Sequence, residues 1–127
     1  MKALVLDTDA CIEIIRGNPE PIRQYDDVVF MVSTVSEFEI LSGLRGQHSS
    51  AKERRARQFL DVANKMPFDS GAAGQAALIR IELEGKGTPI GPYDLLLAGH
   101  AKSLSVPILT RNTEKFRRVT GLTVLDW

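Results

Sequence analysis

The chain alternates between short, wholly apolar runs and longer stretches in which apolar residues recur every three or four positions. The first pattern suits strands covered on both faces, as in a parallel sheet; the second suits helices with one buried face. Ala3-Leu4-Val5-Leu6 is the first such run; it stops on Asp7-Thr8-Asp9 and passes into Ala10-Cys11-Ile12-Glu13-Ile14-Ile15, which has helical spacing. Arg16-Gly17-Asn18-Pro19 predicts a turn, with Pro19 placed to open a short second helix. Val28-Val29-Phe30-Met31-Val32 is a second strand, and Thr34-Val35-Ser36-Glu37 after it fits the capping box of a helix reaching Gly43 or beyond. Ala56, Phe59, Leu60 and Ala63 predict a helix from Ala51 to Lys65, and Met66-Pro67-Phe68-Asp69 reads as a short edge strand or crossing segment. Ser70 to Glu84 is a helix whose Ala72, Ala73, Gly74, Ala76 and Ala77 permit close packing. Gly91-Pro92-Tyr93-Asp94 opens the most apolar helix, through Leu95 to Ala101. Val106-Pro107-Ile108-Leu109 is a third strand, Asn112 is placed to cap a short helix from Thr113 to Arg118, and Thr123-Val124-Leu125 is the last strand. Strands alternating with helices predict a three-layer α/β domain with a mainly parallel sheet.

Size and composition narrow the function classes. The 127 residues suit one domain, 1–127, with a real core. Sixteen basic residues balance sixteen acidic ones, so any surface for nucleic-acid phosphates must be local. One local candidate is Lys52, Arg54, Arg55 and Arg57 on a single helix; the plain alternative is a solvated face. Cys11 stands alone, which excludes a disulfide framework or a zinc-type cysteine pair and suits a small core residue. No apolar run approaches the ~18 residues of a membrane span, and the expectation is a reduced, cytoplasmic protein. Aromatic residues make up 6% and fall mostly at core-like positions, so no platform for stacking RNA bases is expected.

Four polar residues are incompletely explained by folding alone. Asp7 ends a buried strand, at the edge where open α/β sheets gather ligands. Helix capping by Thr8 or Asp9 accounts for one residue of that stretch but not for both acids. Glu39 has Val35, Ser36, Ser42 and Gly43 as helical neighbours, small enough to admit a ligand; a surface glutamate is the alternative. Asp94 suits the first turn of a helix, yet residues 97, 98 and 101 on its face are apolar, which places it at the edge of the core. Asn112 follows a strand end. His100 is rotated away from Asp94 and reads as partly buried and structural, and His48 in the polar loop 46–50 has no visible partner. Oxygen donors without nitrogen or sulfur suit Mg²⁺ or Mn²⁺, which can activate water against a phosphodiester and stabilise the leaving oxygen. Crowded carboxylates are expected to raise at least one pKa by mutual repulsion until a cation binds.

The motifs Leu6-Asp7-Thr8-Asp9, Val32 through Gly43, Ile90-Gly91-Pro92-Tyr93-Asp94-Leu95-Leu96-Leu97-Ala98, Leu109-Thr110-Arg111-Asn112-Thr113-Glu114-Lys115-Phe116 and Gly121 through Trp127 stand in order along the chain. Together they resemble PIN-domain ribonucleases, and specifically VapC-type toxins of type II toxin–antitoxin modules. The resemblance implies a PIN-like fold and Mg²⁺-dependent cleavage of RNA, with Mn²⁺ as a second candidate ion. It implies an acidic metal site of Asp7, Glu39 and Asp94 with Asn112 at the fourth catalytic position, and Thr110 as a supporting or phosphate-contacting hydroxyl. Asp7 and Asp94 would bind the ion directly, and Glu39 would bind it or orient the attacking water. It also implies a homodimer and a cognate VapB-like antitoxin wrapped over the active-site groove. Asp9, Tyr93 and Arg111 depart from the family pattern, which favours Asn at each position. An added carboxylate at Asp9 tightens metal binding or only caps the helix, and Arg111 is placed to hold the RNA backbone. Two rivals stand beside this reading. Asp7-Thr8-Asp9 also copies the acid pair of haloacid-dehalogenase-type phosphatases, in a chain short for that family. A non-catalytic binding module would use the same acids to meet a basic partner.

Overall fold

The structure, a computed structural model, describes residues 1–44 and 50–127. His48 and most of the polar loop around it lie outside the described residues. Five strands, β1 (Ala3–Leu6), β2 (Val29–Ser33), β3 (Asn64–Met66), β4 (Ile108–Leu109) and β5 (Val124–Leu125), form one sheet in the order β3-β2-β1-β4-β5, and every pairing is parallel. Among the described residues seven helices flank it: α1 (Thr8–Ile15), α2 (Glu20–Arg23), α3 (Thr34–Ser42), α4 (Ser50–Val62), α5 (Ser70–Gly85), α6 (Pro92–Leu104) and α7 (Thr113–Arg117).

Alternation along β1 builds the three layers. Leu4 and Leu6 point to one face, where they join Ala10, Cys11, Ile40, Ala56 and Leu60 from α1, α3 and α4. Val5 points to the other, against Ile79, Leu83, Leu97, Ala98, Ala101 and Phe116 from α5, α6 and α7. A strand covered on both faces must be apolar throughout, which is why β1 is so plain in the sequence. The small residues of α5 do bring α6 close: a Cβ on Gly99 would stand 2.6 Å from the backbone and Cβ of Ala76.

Element boundaries shift where hydrogen bonding overrides periodicity. The helix expected to reach Lys65 stops at Val62, and Asn64 to Met66 pair with Met31 to Ser33 as an edge strand. Pro107 lacks an N–H, so β4 begins only at Ile108, although the Pro107 carbonyl accepts from the Val5 N–H at 2.9 Å. The caps also move by one residue. Asp7 itself, rather than Thr8 or Asp9, caps α1, accepting from the Ala10 N–H. Ser33, rather than Thr34, caps α3, accepting from the Val35 N–H, and Glu37 pairs with Lys65 at 3.2 Å instead of closing a capping box.

Strand order decides where a site can form. From β1 the chain winds outward to β2 and β3, then returns to place β4 and β5 on the other side of β1. The winding therefore reverses between β1 and β4, and helices diverge there from the strands' carboxyl ends, leaving a crevice. Asp7 and Thr110 are the first residues beyond those two strands.

Candidate active site

Asp7 is 3% exposed and held from two sides. Its Oδ1 accepts from the Ala10 N–H at 2.8 Å, and Thr110, wholly buried, hydrogen-bonds its side chain. Burial pushes its carboxyl up to about 6 from the ordinary 3.8, and the charges of Asp9 and Asp94 add to the rise. The hydrogen bonds from Thr110 and Ala10 oppose it.

Glu39 projects from α3 toward α1. Thr8 Oγ1 donates to Glu39 Oε1 at 2.6 Å and lies 2.8 Å from Ser36 Oγ. A hydroxyl has one proton, so with Thr8 committed to Glu39, Ser36 is the donor in the second bond. This two-hydroxyl chain fixes the carboxylate within the crevice. Burial raises the Glu39 pKa ahead of the Thr8 hydrogen bond, which lowers it, and the charges of Asp94 and Asp9, which raise it. Asp94 stands in the first turn of α6, half-buried above Leu97, Ala98 and Ala101. Burial raises its pKa, the charge of Lys115 lowers it, and Asp9 raises it again. The expected rise in carboxyl pKa is present, but desolvation leads it and like-charge repulsion is the smaller cause.

Asp7, Thr8, Asp9, Ile12, Glu39 and Asp94 line one open cavity of about 160 Å³. Three chain segments far apart in sequence thus bring their carboxylates to a single crevice. Asn112 sits at its rim: its Nδ2 donates to Asp9 Oδ2 at 3.2 Å, and its backbone N–H donates to Thr110 Oγ1 at 2.9 Å. Asn112 occupies the cap position of α7, but its side chain makes no cap bond there. Arg111 pairs with Glu13 at 2.9 Å and lies over the Trp127 ring at 4.1 Å.

The donor chemistry fits a hard divalent cation: every donor is oxygen, and three of the acids carry charge that burial penalises. Among the described residues no three His, Cys, Asp or Glu side chains already form a set able to hold a metal ion. Mg²⁺ does not require one, because it keeps several waters and takes one or two carboxylates directly. Ile12 and Glu39 also border a larger groove of about 380 Å³, floored by Ile15, Ile40 and Leu44 and edged by Arg16, Lys52 and Arg55.

Sequence reasoning passed over Thr8 and Ser36 as anchors of Glu39, since hydroxyls near a helix start are ordinary caps. The only hint was a threonine wedged between two acids. His100 proves fully buried rather than partly so. Its Nδ1 lies 2.7 Å from Ser33 Oγ, and its ring meets the Phe68 ring edge-on at 5.5 Å. Burial lowers its pKa, and it braces α6 against the end of β2.

Comparison with known proteins bears on the same residues. The PIN domain family model matches residues 4–122. A tRNA(fMet)-specific endonuclease VapC of Salmonella typhimurium is 35% identical over all of this chain and 99% of its own length. Ribonuclease VapC2 of Rickettsia felis is 28% identical over 97% of this chain and 96% of its own. Among solved structures, DNA-bound VapBC from Salmonella typhimurium superposes with a TM-score of 0.85 at 34% identity, covering 100% of this chain and 99% of that one. VapBC-1 from nontypeable Haemophilus influenzae gives 0.85 at 25% identity, covering 98% of each.

Proposed function

This chain belongs to the PIN-domain family, and on that premise we propose that it is a metal-dependent endoribonuclease, the toxin of a VapBC-like toxin–antitoxin pair. The observation that carries the reading is the gathering of Asp7, Glu39 and Asp94 on one cavity at the point where the sheet reverses its winding. The two relatives named for tRNA(fMet), at 35% and 34% identity, make that tRNA the substrate of this proposal. A VapB-like partner is proposed to occlude the site, in keeping with the VapBC complexes among the structural relatives.

Asp7 and Asp94 would hold Mg²⁺ or Mn²⁺, with Glu39 as a third ligand or as the group that orients the attacking water. When bound, the ion supplies positive charge against the phosphate oxygens and makes water acidic enough to attack at neutral pH. The protein supplies the rest. Thr110 and the Ala10 N–H fix the Asp7 carboxylate, and Thr8 fixes Glu39 in position to meet a water. Asn112 donates to Asp9 and so restrains the added acid.

The test is cleavage of tRNA(fMet) by purified protein with Mg²⁺ or Mn²⁺, in wild type and in Asp7→Asn and Asp94→Asn. Both variants are expected to fold and to lose cleavage; full activity in either refutes the site. The binding-module alternative is separated by titration calorimetry, because a protein that takes up neither ion is no metal-dependent enzyme. The phosphatase alternative falls with the family assignment.

A further inference from the structure

The sequence contains five Phe, two Tyr and one Trp. Six of these rings are buried or half-buried, while Phe38 and Tyr93 expose 53% and 44% of their surface. Those two have found each other, with ring centroids 5.8 Å apart and planes inclined at 44°. They also directly precede two of the cavity's carboxylates, Glu39 and Asp94. Successive helix positions turn by about 100°, so Glu39 faces the crevice while Phe38 turns outward to meet Tyr93 from α6. Linear spacing does not show this pair, because the two rings are on different helices.

We propose that Phe38 and Tyr93 form a stacking subsite for an unpaired nucleobase of the RNA beside the cleaved phosphodiester. The proposal rests on the ribonuclease reading of the site. Three observations favour a base over other occupants. An inclined pair at 5.8 Å is not a face-to-face stack, so the flat faces of the rings are not used up on each other, and every nucleobase offers a matching π-face. The patch is small: two half-exposed rings present about 200 Å² together, far below the ~800 Å² per partner of a stable protein interface. Leu41, one turn beyond Phe38 and 37% exposed, adds little to that area. Finally, two cations lie close to the neighbours of these rings in the chain: Lys65 pairs with Glu37, which precedes Phe38, and the charge of Lys115 acts on Asp94, which follows Tyr93.

The experiment uses single-stranded RNA oligonucleotides with the fluorescent base aminopurine moved stepwise along the sequence. They are bound to an Asp7→Asn protein so that cleavage does not intervene. One position is expected to be quenched by stacking. Phe38→Ala or Tyr93→Ala in that background should abolish the quench and weaken binding roughly 5- to 150-fold. Phe38→Tyr and Tyr93→Phe should restore both. An abasic nucleotide at the quenched position should weaken binding to the parent protein by the same factor and leave the alanine variants indifferent. If one alanine variant does not fold, the other carries this comparison, because loss of either ring should remove the abasic penalty. Absence of any quenched position, or an abasic penalty unchanged by the alanine variants, overturns the subsite. So does loss of a dimer in sedimentation with the quench intact, which would assign the rings to a second copy. Failure of the ribonuclease reading looks different: wild-type protein leaves RNA uncut with either ion, whatever the fluorescence shows.

Discussion

Asp7 does two jobs that pull against each other. Its side chain caps α1, which stabilises the fold, while its burial penalises the ionised form and lifts the pKa to about 6. The folded state therefore binds more protons than the unfolded state between about pH 4 and 6. The stability tied to Asp7 is fully present below its ordinary 3.8 and is lost as pH rises through 6, about 3 kcal/mol in all. Asparagine retains the cap acceptor and removes the charge. In urea unfolding without divalent ions, Asp7→Asn is expected to exceed wild type by up to about 3 kcal/mol at pH 7, with the gap closing below pH 4. Equal stability at pH 7 would show that the carboxylate is not desolvated. Thr8→Val should keep the fold but release Glu39, lowering cleavage by about 10- to 100-fold, as loss of a supporting bond to a metal-site carboxylate does; steady-state kinetics checks it. At this scale the acids were legible because charge stood where the pattern called for apolar or neutral residues. Arg111 was not, because Glu13 and Trp127, which pin it, sit at opposite ends of the chain.

Helix and strand positions follow from how many sides an element has covered. β1 and β2 announce themselves because they lie inside the sheet, whereas β3 carries Asn64 and Lys65 at its edge and looks like the tail of the preceding helix. β4 and β5 have only two paired residues each, so their boundaries depend on Pro107 and on neighbouring carbonyls rather than on any pattern. The tightest inter-element contact is that of α5 with α6. Gly99→Ala would put a methyl group 2.6 Å from Ala76, where both partners are backbone or Cβ and cannot swing aside. Overpacking of this kind costs about 1–3 kcal/mol, and because α6 carries Asp94, its displacement also moves a carboxylate. A lowered Tm together with weaker divalent-ion binding is the expected result in thermal melts and calorimetry. A lowered Tm with unchanged ion binding would show that the first turn of α6 is insulated from its middle.

For the molecule as a whole, the cavity joins α1, α3 and α6 around partly desolvated carboxylates. On the proposed reading, a cation there would neutralise carboxylates held by all three helices at once, so its binding would read out as global stability. At a free ion concentration of 100 times Kd the gain is about 2.7 kcal/mol. Protons compete for the same oxygens: Asp7 is ionised above its pKa of about 6 and protonated below it. The Tm increment produced by Mg²⁺ or Mn²⁺ should therefore be large at pH 7.5, small at pH 5, and absent at both in Asp7→Asn. The fold class was legible from the alternation of strands and helices, whereas this convergence was legible only through the family resemblance, since strand order, which sets which carboxyl ends adjoin, is not written in the pattern. Melting curves at the two pH values, with and without the ion, separate a coordinated cation from general screening. Screening would lift wild type and Asp7→Asn alike and would change little with pH, whereas coordination requires the carboxylate of Asp7 in its ionised form.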